Sequence, residues 1–161
     1  MTGLKTRLAD VCERLNAHGA RYVLVGASAM QLWGTSRATR DIDLLIDPTL
    51  ENARNVLDAL EQVGFGTASE LAPEHVVDSS ATILGDMPNV GILNRAWNVQ
   101  WKDARERVTV FTLEGVPIPT ASIDDLIASK RSGQVQDAAD IEVLEEIRRL
   151  RGEQGVPELA G

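Results

Sequence analysis

One cysteine and two histidines are all that 161 residues hold of the softer metal-binding side chains. Cys12 alone cannot form an internal disulfide, and such cysteine usage points to a reducing, cytoplasmic setting. With only His18, His75 and Cys12 to draw on, a His/Cys zinc site is not expected, so any metal would be hard and oxygen-bound. No apolar run approaches the roughly 18 residues that span a bilayer. The N-terminus, "MTGLKTRLADVCERLNAHG", alternates charge with Leu and lacks a signal-peptide apolar core, so no membrane partner is expected. Cations are also scarce. Sixteen Lys and Arg stand against 24 Asp and Glu, a net charge of -8, which argues against a generally basic nucleic-acid-binding surface but leaves room for a local basic patch.

What is present is ordinary for a globular chain: 43% hydrophobic and 25% charged residues, enough for one domain with a real core. Leu4, Leu8, Val11 and Leu15 form one helical stripe, ended by His18-Gly19. Tyr22 to Val25 reads as a buried strand, Ala27 to Trp33 as a helix closed by Gly34, and Ile42 to Ile46 as a second buried strand. Thr49 is a predicted N-cap for a helix running to a C-cap at Gly64. In the middle, His75-Val76-Val77, Ala81 to Leu84 and Val90 to Leu93 read as short strands. Trp97 and Trp101 fall on one face of a short predicted helix. A hairpin follows, Arg107 to Thr112 and Val116 to Ile118, turned at Glu114-Gly115. Ser122-Ile-Asp-Asp125 is a capping pattern opening a helix to Lys130, and a last helix is predicted from about Asp137 to Arg151. The expected fold is α/β (α+β), a mixed twisted sheet with helices packed on it. It forms a single domain over 1–151 with a loose tail over 152–161.

The chemistry gathers in "VGASAMQLWGTSRATRDIDLLID", Val25 to Asp47. A strand has period 2, so Asp41 and Asp43 share a face while Ile42 points away. Paired carboxylates at that spacing suit Mg²⁺, which takes a few protein oxygens together with substrate phosphates. On their own, two Asp residues could equally be the wet end of a strand. Upstream, however, Gly26-Ala27-Ser28 forms a strand-to-helix turn of small residues, where helix N–H groups can meet phosphate. Arg37, Thr39 and Arg40 arrive just before the Asp pair. An anion-binding turn beside a cation-binding pair is the composition of a magnesium–nucleotide site.

This stretch resembles the nucleotidyltransferase superfamily that includes DNA polymerase β. It is closest in pattern to the small bacterial branch related to abortive-infection and toxin–antitoxin nucleotidyltransferases. The shared pattern is an apolar strand, a Gly-Gly or Gly-Ser turn, a short helix, then Arg-x-Thr-x-Asp-x-Asp, here "SRATRDIDLLI". "PIPTASIDDLIASKRSG" followed by "DAADIEVLEEI" resembles that branch's C-terminal helices. The resemblance implies a Mg²⁺ (or Mn²⁺) cofactor held by Asp41 and Asp43. It also implies a nucleoside triphosphate held near Gly26, Ala27, Ser28, Arg37, Thr39 and Lys130. An RNA or protein acceptor and a toxin or antitoxin partner would follow from the same likeness. Three features depart from the pattern. Ser28 is one place late, and Gln134 and Gln136 stand where the branch tends to be basic. The expected third carboxylate falls on Gly91, in Val90-Gly91-Ile92. Asp78 or Asp86 could replace it if the middle strands brought one near Asp43, and Gly91→Asp would be expected to raise turnover. A degenerate fold that binds a nucleotide or a protein partner is the alternative reading.

Other residues have simpler explanations. Trp33, Trp97 and Trp101 fit core packing, and Lys130 and Arg131 fit a solvated helix end. Asp137 and Asp140 fit capping, His75 beside Glu74 an exposed pair, and Cys12 a small buried hydrophobe.

Overall fold

A computed structural model of the chain describes residues 7–35, 39–85, 89–96, 98–130 and 135–154, with side chains in the last helix from 138 to 152. The first helix, α1 (Arg7–Ala17), buries Ala9, Val11, Cys12 and Leu15, a single stripe at helical spacing. It feeds β1 (Tyr22–Val25), α2 (Gly26–Trp33) and β2 (Ile42–Ile46). Thr49 caps α3 (Leu50–Gln62) as expected, its side chain accepting from the Asn52 N–H.

The chain then departs from expectation. His75-Val76-Val77 lies in a helix, α4 (Pro73–Asp78), not in a strand. Pro73 opens it, where a missing N–H costs nothing, and Val76 alone is buried. Two valines in a row imitate a strand, but the proline three residues earlier in a six-residue element decides for helix.

β3 (Ala81–Leu84) and β4 (Val90–Leu93) follow, then α5 (Trp101–Ala104) and the hairpin β5 (Thr109–Leu113) and β6 (Val116–Thr120). Ser122 caps α6 (Ile123–Ser129) by accepting from the Asp125 N–H. The last helix, α7 (Val135–Gln154), runs past the expected end at Arg151. The Arg151 guanidinium lies 5.4 Å from the Trp33 ring centroid and donates to the Trp33 carbonyl at 2.9 Å, tying that end to α2.

The six strands form one mixed sheet in the order β3-β4-β2-β1-β6-β5. β1 runs antiparallel to β2 and parallel to β6, while β2 runs parallel to β4. This is the α/β architecture the sequence predicts. α3 packs against both α1 and α4, and α6 against both α2 and α7. Leu24, Leu44, Leu45, Ile46, Ile92 and Ile118 are almost wholly buried between elements. Trp33 is a core residue: it meets Phe111 edge-on at 5.1 Å, and its indole N–H donates to the Ala121 carbonyl at 2.9 Å. Trp101 is half-buried, and Trp97 lies outside the described residues. No described helix is long and apolar enough to cross a membrane.

Candidate functional site

β1 and β2 set the site. Their antiparallel register places Val25 opposite Asp43, so the turn that leaves β1 at Gly26 stands over the start of β2. Gly26 has φ +72, a conformation that glycine adopts freely and a residue with a Cβ adopts only with strain. Space is short as well. A Cβ on Gly26 would lie 2.5 Å from Asp43 Oδ2, closer than atoms can stand. On the other side, Gly91 pairs with Asp43 across the parallel β2–β4 ladder, and a Cβ there would lie 2.7 Å from Oδ1. The Asp43 carboxylate thus sits in a slot between two glycines.

Period-2 alternation holds. Ile42 is buried in the core while Asp43 is only half-buried and Asp41 is exposed. Removal from water raises the Asp43 pKa, the Asp41 charge raises it further, and the Lys130 charge lowers it in part. Among the described residues the Asp43 carboxylate takes no hydrogen bond. Two neighbouring carboxylates with one lysine nearby leave uncompensated negative charge, so an oxygen-seeking cation fits the donor set.

Several residues hold Asp41 in place. The Ser28 hydroxyl donates to its carbonyl at 2.5 Å, and its N–H donates to Thr39 Oγ1 at 3.2 Å. Its Oδ1 accepts from the Asn89 N–H at 3.4 Å. Ser28, 4% exposed, therefore spends its proton on the Asp41 backbone. Ser28 and Thr39, both expected beside a triphosphate, act here as positioning residues for Asp41. Gly26 and Ala27 open α2 with no side-chain cap on its first N–H groups, which leaves backbone donors for an anion. Arg37 and Asp86 lie outside the described residues. A cavity of about 580 Å³ adjoins, lined by Ser28, Gln31, Thr39, Arg40 and Ile42, with Arg7 and Leu8 of α1. Neither carboxylate lines it, so it is a neighbour of the pair and not the cleft above it.

Lys130 reaches the site from the end of α6, and Asp140 of α7 pairs with its ammonium at 3.2 Å. Asp140 is 5% exposed: its sequence position fits helix capping, but the structure buries it six residues into α7 against Lys130. A signal was there to be read. Asp140, Leu144 and Ile147 are spaced i, i+4, i+7, so the aspartate lies on the stripe that α7 turns inward.

Among the described residues, no group of three or more His, Cys, Asp or Glu side chains gathers where it could hold a metal. Asp78, at the end of α4, therefore does not complete a set with Asp41 and Asp43. No curated protein matches the sequence. The model of the family described as "nucleotidyltransferase of unknown function" (DUF6036) matches residues 6–151, from the start of α1 to the last turn but one of α7. The slot around Asp43, the Gly26 turn and Lys130 all lie within that span, and the chain belongs to this nucleotidyltransferase family.

Proposed function

We propose that the protein is a Mg²⁺-dependent (or Mn²⁺-dependent) nucleotidyltransferase that moves a nucleoside monophosphate from a nucleoside triphosphate to an acceptor hydroxyl. The observation that carries this reading is the half-buried Asp43 carboxylate, without a hydrogen bond among the described residues, beside Asp41 and under the Gly26 turn. Asp41 and Asp43 would hold the metal. The backbone N–H groups of Gly26 and Ala27, with Lys130 and Arg37, would hold the triphosphate. Ser28 and Thr39 keep Asp41 in register. Asp140 keeps Lys130 near Asp43. When bound, the metal would neutralise charge on the phosphates and orient them. The acceptor oxygen bonds to the α-phosphorus as the bond to the bridging oxygen breaks, which releases pyrophosphate and the hydroxyl proton. RNA or a protein side chain would supply that hydroxyl in the cytoplasm.

Gly91 favours a second reading. It stands beside Asp43 where relatives by pattern carry a third carboxylate, and no other described residue fills that place. A degenerate site would still bind a nucleotide, or serve as half of a toxin–antitoxin pair, without efficient transfer.

The test is incubation with each α-labelled nucleoside triphosphate, Mg²⁺ and a total cell extract. Label passing to an acceptor, and lost in Asp43→Asn, supports the transferase. Binding of nucleotide without transfer selects the degenerate reading.

A further inference from the structure

The parallel strands β2 and β4 both end at the edge of the sheet remote from Asp43 and Gly91. There the residues that follow them open into a second cavity, of about 630 Å³, lined among others by Asp47, Asn94, Arg95, Trp101 and Lys102. That volume suits a small-molecule ligand. Its charge runs against the chain's net -8. Arg95 and Lys102 are exposed and form no ion pair among the described residues. The one carboxylate in the wall, Asp47, is already matched by Arg21 at 2.7 Å. Trp101 is half-buried, with the Arg105 guanidinium 5.0 Å from its ring centroid.

Asn94 adds a second kind of observation. Its amide nitrogen donates to the carbonyls of Val76, Val77 and Ser79 at 3.1, 2.8 and 2.6 Å, which fixes the side chain. Its Oδ1 is left buried with no hydrogen-bond partner among the described residues. Two solvated surface cations would explain Arg95 and Lys102, but not an aromatic wall and a rigidly held amide lining the same hollow.

We infer that this cavity is a second ligand site, remote from the carboxylate pair, for a phosphate-bearing ring of the nucleotide type, either free or within a single strand. Arg95 and Lys102 take the phosphate and Trp101 the ring. The inference stands whether or not the carboxylate site transfers nucleotides.

The full chain is titrated without Mg²⁺ against the four ribonucleoside 5′-monophosphates, a labelled single-stranded RNA of about ten nucleotides, and inorganic phosphate. Saturable binding is expected. It should weaken about tenfold or more in the double variant Arg95→Ala, Lys102→Ala and in Trp101→Leu, and stay within about twofold in Asp43→Asn. The first pair is exposed, so the double variant keeps its fold, which circular dichroism checks. Binding of mononucleotides identifies a free ligand, and binding of the RNA alone identifies a strand. The inference is overturned if neither binds, if phosphate binds as tightly as the nucleotides, or if the double variant binds like wild type.

Discussion

Gly91 faces Asp43 across the parallel pairing of β4 with β2, and a Cβ on Gly91 would stand 2.7 Å from Asp43 Oδ1. On the other side, a Cβ on Gly26 would stand 2.5 Å from Oδ2, so the carboxylate is flanked by two bare glycines. Gly91 is therefore more than the site of a missing acid: its bareness makes the slot in which Asp43 sits.

This changes what substitution there should do. From the sequence, Gly91→Asp is a candidate to raise turnover. The geometry predicts the reverse. Gly91→Ala and Gly91→Asp both force the Asp43 carboxylate to shift from its place. We expect nucleotide binding or transfer to fall about tenfold or more in each variant. Isothermal titration with a magnesium–nucleoside triphosphate checks this, and stronger binding in Gly91→Asp would show that the slot relaxes.

Asp43 also ties stability to pH. Its folded pKa is raised, first by burial and then by Asp41, so its ionised form is disfavoured in the folded state. The stability that Asp43 contributes is therefore complete below the ordinary aspartate value of 3.8 and is lost as pH rises through the raised value. Without ligand, Asp43→Asn should melt above wild type at pH 7, and the difference should shrink as pH falls towards 3.8. Melting curves across that range test it.

Lys130 and Asp140 should not be separable. Lys130→Ala removes the cation from a carboxylate that is 5% exposed, which costs about 2 kcal/mol or more. Asp140→Asn, which keeps the shape and removes the charge, should cost less. Both should weaken nucleotide binding, because Lys130 would leave its place near Asp43. Chemical denaturation and titration of the two variants distinguish this from an independent surface lysine, for which only Lys130→Ala would weaken binding.

Cys12 is fully buried in α1, and burial pushes its thiol pKa up to about 12. Thiol reagents need the thiolate, so the folded chain should resist alkylation at pH 8. Its labelling rate should follow global unfolding, rising steeply through the denaturant transition.

The parts of the molecule legible in the sequence are those where one local rule decides. Thr49 and Ser122 as caps, Ile42 to Ile46 as a buried strand, and the Glu114-Gly115 turn all follow from short-range chemistry. His75-Val76-Val77 misleads because β-branched valines favour a strand, and the helix-opening proline at Pro73 outweighs them. The Asp41–Asp43 pair was legible because a strand's alternation places both without tertiary information. The spacing of Asp140 with Leu144 and Ile147 marks it as inward-facing, but its partner was not legible, since Lys130 lies ten residues back at the end of another helix. The two jobs of Gly91 also could not be separated, because only the β2–β4 register brings it against Asp43.

The central claim is that Asp41 and Asp43 share a cation with a nucleoside triphosphate. The most direct measurement is the melting temperature with and without Mg²⁺ and each triphosphate, for wild type and Asp43→Asn. A ligand at a hundredfold excess over its Kd stabilises the folded state by about 2.7 kcal/mol, which is a rise of roughly 5–10 °C for a chain of this size. The account predicts such a rise for at least one triphosphate, dependent on Mg²⁺ and almost absent in Asp43→Asn. No rise with any triphosphate at millimolar concentration, or an equal rise in Asp43→Asn, would contradict it.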